Sequence, residues 1–545
     1  MNKVTTLAVL TVLVIMTGAA NLARAQVDCI DPVKTAAGLV RGADEPETCV
    51  WKGIPFAAAP VGELRWRAPQ PAPSWDGVRE AVAFGNRCMQ KGIMAMEGMA
   101  SKEGMSEDCL YLNVWRPKKS GSFPVMVWVH GGGYYGGSGS TPWYWGDRLA
   151  VNGDLVVVTI NYRLNVFGFF AHPALRAEDP NKSTGGYGTL DQVAALQWVH
   201  DNIQNFGGDP NNVTIFGESA GGWSICTLLA TPLTRGLFHR ALLESGGCEQ
   251  SGSLEQGYEE AAQVADVFKC SQDDIACLRH VPAKRLLKQG SGGMTSGVDA
   301  KPRHDGYVLT DTPLNMIRAG NYNHVPFIAG HNRDEFGNTM KLIPQLKRTK
   351  PDQYKDVLME RFKLPADDAD KLIALYPLDE FNNRPVEAYG RMFGADAALA
   401  CPTYMGLLAA AKQQPNTWYY RFDYDEMNAG KYTGAAHAME IPFIFGSLDR
   451  MPANIFYDKK NIDAAAELSG LMQGYVINFA KTGDPNGPGL PAWPQYRPDS
   501  KTIVVFDSTG AITEPAGVYD DRCAFWDEKT PEDAFSAIGE TVNRK

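Results

Sequence analysis

Runs of apolar residues alternate along the chain with amphipathic or glycine-marked segments. Six runs are short, apolar and bounded by turn residues, as buried strands are. They cover residues 123–130, 155–162, 213–216, 240–243, 325–329 and 418–422. Because strands that alternate with helices form parallel sheets, the pattern predicts an α/β fold. We expect a large central sheet, mostly parallel or mixed, with helices on both faces.

Between residues 189 and 206 the apolar positions recur every three or four residues. This spacing predicts an amphipathic helix with one buried stripe, made of Val193, Leu196, Val199, Ile203 and Phe206. Thr189 is followed three residues later by Gln192, which fits a capping box and predicts that the helix begins there.

The chain offers no repeat, low-complexity tract or linker that would divide it. The strands needed for one sheet are spread from residue 123 to beyond residue 400, so we expect residues 26–545 to form a single composite domain. Residues 251–312 and 342–404 are predicted to be helical or loop insertions over the sheet. Insertions of this kind commonly build a substrate pocket.

The first 25 residues have the pattern of an export signal. Lys3 supplies a short positive region, residues 7–16 are apolar, and Ala23-Arg24-Ala25 resembles a cleavage site, so the mature chain should start near Gln26. The apolar stretch is too short to span a membrane, and we expect no later span. The protein is therefore predicted to be secreted or periplasmic.

The net charge of the chain excludes one class of binding partner. A formal net charge of −10 and a pI near 5.5 exclude an ordinary nucleic-acid binder, because phosphate contacts need clustered Lys and Arg. The sequence does not indicate an oligomeric state.

Ten cysteines in an exported chain indicate disulfides rather than metal or redox sites. No paired metal-ligand spacing is present, and we expect neither a metal site nor a cofactor. Spacing suggests local loops closed by Cys29–Cys49, Cys88–Cys109 and Cys270–Cys277, but spacing alone does not fix pairing, and buried free thiols are the alternative.

The segment Gly217-Glu218-Ser219-Ala220-Gly221 carries the strongest chemical signal. A serine hydroxyl becomes a nucleophile only when a base can reach it, and a sharp strand-to-helix turn holds it clear of the backbone. A predicted strand precedes this segment, and residues 222–229 continue as a helix. The pattern predicts that Ser219 is the nucleophile of a hydrolase.

A glycine run, Gly131-Gly132-Gly133, follows the predicted strand 123–130. Alone it could be a flexible turn. Glycines also let a substrate approach backbone N–H groups, which stabilise the oxyanion of an acyl-transfer intermediate. The run precedes the serine turn in chain order, which matches the loop that donates such N–H groups in α/β-hydrolases.

In α/β-hydrolases the catalytic residues follow the chain order serine, acid, histidine. Eight of the nine histidines precede residue 332, so His437 is the candidate base. The acid should lie on a loop after a strand, and the loop after strand 325–329 contains Asp334 and Glu335. Spacing does not choose between these two carboxylates.

Two long segments resemble the signatures of the type B carboxylesterase/cholinesterase family, and the likeness runs through nearly the whole mature chain. Residues 206–221 resemble the serine signature, and residues 107–117 resemble the cysteine-containing one. The resemblance implies an α/β-hydrolase fold and ester hydrolysis through an acyl-enzyme without a cofactor. It carries the catalytic residues onto Ser219, Glu335 and His437, and the oxyanion donors onto Gly132, Gly133 and Ala220.

The resemblance also implies disulfides Cys88–Cys109, Cys270–Cys277 and Cys401–Cys523. The four cysteines that remain are then expected to pair as Cys29–Cys49 and Cys226–Cys248. Glu218 matches an acidic residue that lines the family's site, although a mere filler of the turn is an equal alternative. Tyr134, beside the oxyanion glycines, is a second candidate for the lining.

One departure from the family concerns substrate choice. Cholinesterases carry a cation-binding tryptophan between the first paired cysteines, whereas residues 89–108 contain no tryptophan. They contain five methionines instead: Met89, Met94, Met96, Met99 and Met105. Methionines that face the pocket would suit varied apolar shapes, whereas a cation prefers an aromatic ring, so a quaternary-ammonium substrate is not expected. The alternative is that these methionines only pack the loop onto the body of the protein.

We therefore interpret the chain as a secreted serine carboxylesterase that acts on a small-molecule ester. The identity of that ester stays open. The rival interpretation is a cholinesterase-like adhesion protein that has lost its catalytic residues, which the presence of all three candidates disfavours.

Overall fold

The computed structural model describes residues 28–91, 103–290, 297–451 and 456–529. Its centre is an eleven-stranded mixed sheet. Its strands in chain order are β1 (Ala43–Asp44), β2 (Thr48–Pro55), β3 (Tyr111–Pro117), β4 (Phe123–Val129), β5 (Val156–Ile160), β6 (Gly208–Glu218), β7 (Arg240–Glu244), β8 (Phe327–Asn332), β9 (Thr417–Phe422), β10 (Thr502–Asp507) and β11 (Gly510–Pro515).

The spatial order of the strands is β11-β10-β9-β8-β7-β6-β4-β5-β3-β2-β1. Strands β4 to β10 all run parallel, and the antiparallel pairings lie toward the two edges. The predicted α/β-hydrolase architecture is confirmed, and each of the six predicted strands is present. Short strands outside this sheet are Val33–Lys34, Leu39–Arg41, Val78–Glu80, Arg87–Cys88 and Met105–Ser106.

Both faces of the sheet are buried, which explains the continuous apolar runs. In β4, Val125, Val127 and Val129 pack into one core, while Met126 and Trp128 pack into the core on the opposite face. Successive side chains of a strand point to opposite faces, so a strand covered on both sides needs apolar residues at every position.

Helices cover these faces and fill the connections. The first half of the chain contributes α1 (Asp147–Gly153), α2 (Asn165–Phe169), α3 (Pro173–Glu178), α4 (Tyr187–Asn202), α5 (Ala220–Ala230), α6 (Leu254–Phe268), α7 (Ile275–His280) and α8 (Ala283–Gly290). The second half contributes α9 (Pro313–Arg318), α10 (Pro344–Lys347), α11 (Tyr354–Glu360), α12 (Ala366–Leu375), α13 (Pro385–Tyr389), α14 (Cys401–Ala411), α15 (Gly430–Thr433), α16 (Ile441–Phe445), α17 (Ile462–Thr482) and α18 (Val518–Asp527). Within the described residues, the predicted insertion 342–404 is largely helical, whereas the insertion 251–312 carries helices α6 to α8 and continues from residue 297 to 312 without a helix.

The predicted helix over residues 189–206 exists, and its apolar stripe packs into the core. Its predicted start is wrong. The helix begins at Tyr187 with Gly186 as the N-cap, so Thr189 and Gln192 lie inside it. Gln192 Nε2 donates to Ser224 Oγ of α5 at 2.8 Å instead of capping. Both side chains are buried, so contacts with other parts of the fold, and not capping, determine their positions.

Five disulfides close the pairs Cys29–Cys49, Cys88–Cys109, Cys226–Cys248, Cys270–Cys277 and Cys401–Cys523. Every predicted pairing is present. The Cys226–Cys248 bridge ties α5, the helix that follows Ser219, to the segment after β7.

Some predictions fall on residues outside the described ranges, namely the signal peptide and the methionines at 94, 96 and 99. Within the described ranges, the continuous helix Pro385–Ala411 is long and apolar enough to span a membrane by length and composition. Its most apolar window is 83% buried in the protein, as in a core helix.

Candidate active site

Ser219 occupies a sharp turn between the end of β6 and the start of α5. Its φ of 57° and ψ of −123° are strained for a residue with a side chain, as a nucleophile turn requires. The glycines that flank this turn, Gly217 and Gly221, leave no space for a side chain. A Cβ on Gly217 would lie 2.6 Å from Val129 O, and one on Gly221 would lie 2.0 Å from the same oxygen.

His437 lies against Glu335. The His437 Nδ1 and Glu335 Oε2 atoms are 2.6 Å apart, and the backbone N–H of His437 donates to Glu335 O at 3.1 Å. Glu335 Oε1 accepts the backbone N–H of Asn332 at 2.7 Å. The Glu335 side chain is therefore fixed at both oxygens, with one aimed at the imidazole.

The two candidate acids have separate surroundings. Asp334 Oδ2 accepts from Arg333 Nη2 at 2.8 Å and from the backbone N–H of Ala435 at 2.9 Å. This carboxylate holds the loop through an ion pair, whereas the Glu335 carboxylate contacts the histidine. The structure thus brings Glu335 to His437 and leaves Asp334 in a different contact.

The glycine loop after β4 runs beside the serine turn. A Cβ on Gly131 would lie 3.0 Å from Ser219 Cβ, and Gly132 and Gly133 have φ of 104° and 62°. Within the described part of the chain, the N–H groups of Gly132, Gly133 and Ala220 donate to no other backbone carbonyl. Three N–H groups beside one serine are suited to binding an oxyanion.

Glu218, the residue before Ser219, is fully buried and faces the histidine. Its Oε1 lies 3.1 Å from His437 Nε2, so carboxylates face both ring nitrogens of the imidazole. Tyr134 is 1% exposed and packs on Tyr162, Phe169 and Trp223, so its ring supports the glycine loop from behind.

Sequence reasoning missed a second layer of polar residues behind the histidine. Asn332 Nδ2 donates to Glu440 Oε2 at 2.5 Å, and Ser245 Oγ donates to Glu440 Oε1 at 3.2 Å. Glu244 is fully buried next to this group, and neither carboxyl oxygen has a hydrogen-bond partner among the described residues.

Burial and the charge of Glu335 raise the pKa of Glu440 to about 7. Burial and the charge of Glu440 raise the pKa of Glu244 well above its ordinary value. A signal for these residues existed in the sequence. Glu218, Glu244 and Asn332 are the last residues of the neighbouring parallel strands β6, β7 and β8, where α/β proteins build their sites.

The chain is similar to known proteins along most of its length. The pattern of the Carboxylesterase family matches residues 31–526. This chain belongs to that family. Para-nitrobenzyl esterase of Bacillus subtilis is 36% identical over 484 residues, which cover 87% of this chain and 94% of that protein. Fumonisin B1 esterase of Sphingopyxis macrogoltabida is 37% identical and covers 89% of this chain and 88% of its own length.

Among solved structures, a Geobacillus stearothermophilus carboxylesterase is similar with a TM-score of 0.78 and 36% identity. The match covers 91% of this chain and 99% of that one. The protein is thus a carboxylic ester hydrolase with an α/β-hydrolase fold, and the rival interpretation as a non-enzymatic adhesion protein has no support in these relatives.

Proposed function

We propose that the protein hydrolyses small-molecule carboxylic esters through a Ser219–His437–Glu335 triad and an acyl-enzyme. The observation that carries the proposal is the 2.6 Å contact between His437 Nδ1 and Glu335 Oε2, in one site with a strained serine turn. Glu335 holds the imidazole in the tautomer that carries its proton on Nδ1, so that Nε2 is the nitrogen that takes the serine proton.

Each residue then has one role in the reaction. His437 removes the proton of Ser219 as its Oγ attacks the ester carbonyl, and the N–H groups of Gly132, Gly133 and Ala220 bind the oxyanion. His437 next protonates the leaving alcohol. Water attacks the acyl-enzyme by the same route and releases the acid.

We infer that Glu218 stabilises the imidazolium that forms in both halves of the reaction. Its carboxylate lies 3.1 Å from His437 Nε2, the nitrogen that gains the proton. A negative charge at this distance, in a buried site, favours the protonated ring as positive charge develops there.

We also propose that residues 1–25 are a cleaved export signal and that residues 26–545 form one composite domain in a secreted or periplasmic protein. Five disulfides support an oxidising compartment, because such bridges persist there and are rare in the cytosol.

The triad is tested by four single variants. We expect Ser219→Ala, His437→Ala and Glu335→Gln each to lower kcat/KM on p-nitrophenyl acetate by about 10³-fold or more, with losses in double variants that do not add. Asp334→Asn is the matched control, since it neutralises the adjacent acid, and it should retain most activity in a folded protein. Full activity in Glu335→Gln together with an inactive but folded Asp334→Asn would refute the assignment of the acid.

A further inference from the structure

The glycine loop after β4 must hold its N–H groups in one direction for the proposed reaction, although its composition favours conformational freedom. Five of residues 131–137 are glycine. Glycine visits more backbone conformations than other residues, whereas an oxyanion is stabilised by donors that are already in place. Contacts from outside the glycines must therefore fix this backbone.

His130 holds the first peptide of the loop. Its Nδ1 lies 2.8 Å from Gly131 O, and because a carbonyl oxygen only accepts, Nδ1 carries the proton. Burial lowers the pKa of His130 to about 4, so the ring is neutral at neutral pH. The ring stacks on Tyr162 at 4.5 Å, and Tyr162 Oη donates to His130 O at 2.8 Å. The histidine is thus held both at its ring and at its backbone.

The direction of the Gly132 N–H follows from this contact. The Gly131–Gly132 peptide is trans, so its C=O and N–H point to opposite sides. Because His130 holds Gly131 O, the Gly132 N–H points away from the imidazole. The same peptide lies against the serine turn, since a Cβ on Gly131 would lie 2.7 Å from Glu218 O and 3.0 Å from Ser219 Cβ. Rotation of the peptide would exchange the N–H for a carbonyl oxygen, which repels an oxyanion.

Gly137 closes the space over the contact between His130 and Gly131. A Cβ on Gly137 would lie 2.3 Å from His130 Nδ1 and 2.5 Å from Gly131 O. The φ of Gly137 is 106°, in the region that favours glycine. Its backbone therefore packs directly on the hydrogen bond that sets the direction of the peptide. That hydrogen bond has no room to open while Gly137 stays in place.

Gln90 holds Gly137 by both of its backbone groups. Gln90 Nε2 donates to Gly137 O at 2.9 Å, and Gln90 Oε1 accepts the Gly137 N–H at 3.1 Å. Nε2 also donates to Cys88 O at 3.1 Å, and the side chain is buried. The segment that carries Gln90 is itself fixed, by the Cys88 disulfide and by Asn165 Nδ2, which donates to Met89 O at 2.7 Å. The Gln90 amide thus joins a covalently fixed segment to the far end of the glycine loop.

We propose that Gln90 is a positioning residue of the oxyanion hole, which keeps the Gly132 N–H directed at the oxyanion. It acts through Gly137 and His130. This inference rests on the proposed serine esterase function, since it assumes an oxyanion formed on Ser219. It gives the first residues of the segment 88–109 a role in kcat rather than in substrate binding.

The test is Gln90→Met, which keeps the length of the side chain and removes its three hydrogen bonds. With p-nitrophenyl acetate at pH 8, we expect kcat to fall by about 10-fold and KM to stay within about 2-fold, because the oxyanion forms only in the transition state. The loss is smaller than the roughly 10²-fold or more that follows removal of an oxyanion donor, since the Gly132 N–H is still present. The apparent pKa in the pH profile of kcat/KM should not change, because His437 and Glu335 are untouched.

Gln473→Met is the matched control for a loss of stability alone. Gln473 is also buried, its Oε1 accepts from Asn152 Nδ2 at 2.9 Å, and its Nε2 donates to Ser469 Oγ at 3.0 Å. These bonds join α17 to α1 and to its own preceding turn, not to the glycine loop. Gln473→Met should lower the thermal midpoint and keep the wild-type kcat. An equal fall in kcat in both variants would overturn the proposal.

A second readout uses 1,1,1-trifluorooctan-2-one, which mimics the tetrahedral intermediate. Its carbonyl carbon bonds to Ser219 Oγ, His437 takes the serine proton, and the carbonyl oxygen becomes the oxyanion. We expect the Ki of this ketone to rise in Gln90→Met by about the factor by which kcat falls, and to stay unchanged in Gln473→Met. An unchanged Ki in Gln90→Met, or a higher KM with wild-type kcat, would overturn the proposal.

If Gln90→Met does not fold, Gln90→Glu decides. This variant keeps the shape of the side chain and the acceptor for the Gly137 N–H, but it places an oxygen against Gly137 O. The same fall in kcat is expected, and wild-type kcat would overturn the proposal. Failure of the esterase function itself is separate, because wild type would then hydrolyse p-nitrophenyl acetate no faster than Ser219→Ala.

Discussion

The buried carboxyl of Glu440 makes the stability of this protein depend on pH in a predictable direction. Glu440 is fully buried, and burial and the charge of Glu335 raise its pKa from the ordinary 4.5 to about 7. Between these two values the folded chain holds a proton that the unfolded chain has lost. Stability from this group is therefore full below about pH 4.5 and declines as pH rises toward 7.

The perturbation is Glu440→Gln, which keeps the shape of the side chain and an oxygen that accepts from Asn332. A rise of roughly 2.5 pKa units corresponds to about 3 kcal/mol. About 2 kcal/mol of that difference should develop between pH 5 and pH 8. We expect the free energy of unfolding of Glu440→Gln, relative to wild type, to rise by that amount over this range, so that the variant becomes more stable relative to wild type as pH increases.

The assay is urea unfolding at pH 5, 6, 7 and 8 with disulfides intact, followed by tryptophan fluorescence. Glu255→Gln, which changes an exposed carboxylate of α6, is the matched control and should keep a constant difference from wild type. A constant difference for Glu440→Gln as well, or a difference that changes in the opposite direction, would refute the reasoning. The Glu440 carboxyl would then be ionised in the folded protein throughout the range.

Two further predictions concern the serine turn and the disulfides. Gly221→Ala should cost at least about 2 kcal/mol of stability and most of the activity, because its Cβ would lie 2.0 Å from Val129 O. Gly470→Ala, in α17, is the control: its Cβ would meet no atom within 4 Å, and it should raise stability by about 0.5–1 kcal/mol. Equal effects of the two substitutions in thermal melts would contradict the steric argument. Cys401 and Cys523 are 122 residues apart, and replacing both by alanine should lower the free energy of unfolding by about 5 kcal/mol. Cys270 and Cys277 are 7 residues apart, and the same replacement should cost about 2 kcal/mol, because a disulfide that closes a longer loop restricts the unfolded chain more. Equal losses in urea unfolding would contradict this chain-entropy account.

The sequence predicted those features that depend on local pattern or on long shared motifs. The six central strands are apolar at most positions because both faces of the sheet are covered, so each was visible as an apolar run. The serine turn was visible because Gly217 and Gly221 are sterically required. The outer strands β1 to β3 and β10 to β11 were not predicted. Polar residues such as Lys52, Asn113 and Arg116 interrupt the apolar pattern of β2 and β3, although most positions of these strands are buried. The buried apolar run of β10 was missed, and β11 has no fully buried position.

Features that depend on distant parts of the chain escaped prediction. Spacing could not separate Asp334 from Glu335, because the choice depends on Arg333 and Ala435 holding one carboxylate while His437 meets the other. The start of α4 was misplaced because Gln192 bonds to Ser224, a residue of another helix. Which strand ends are neighbours in the sheet is likewise a property of the fold, and it places Glu244 beside Glu218.

The position of one disulfide follows from the demands of this site. A strained serine and several buried carboxyl groups each lower stability, and active sites tolerate such features only when the surroundings hold them in place. Cys226–Cys248 joins α5 to the segment after β7, the two pieces of backbone that directly follow Ser219 and Glu244. Neither cysteine is more than 1% exposed, so the bridge lies in the core under the site rather than on its surface. A covalent tie at this place limits the separation of the two segments, and it therefore helps to hold the strained serine in position.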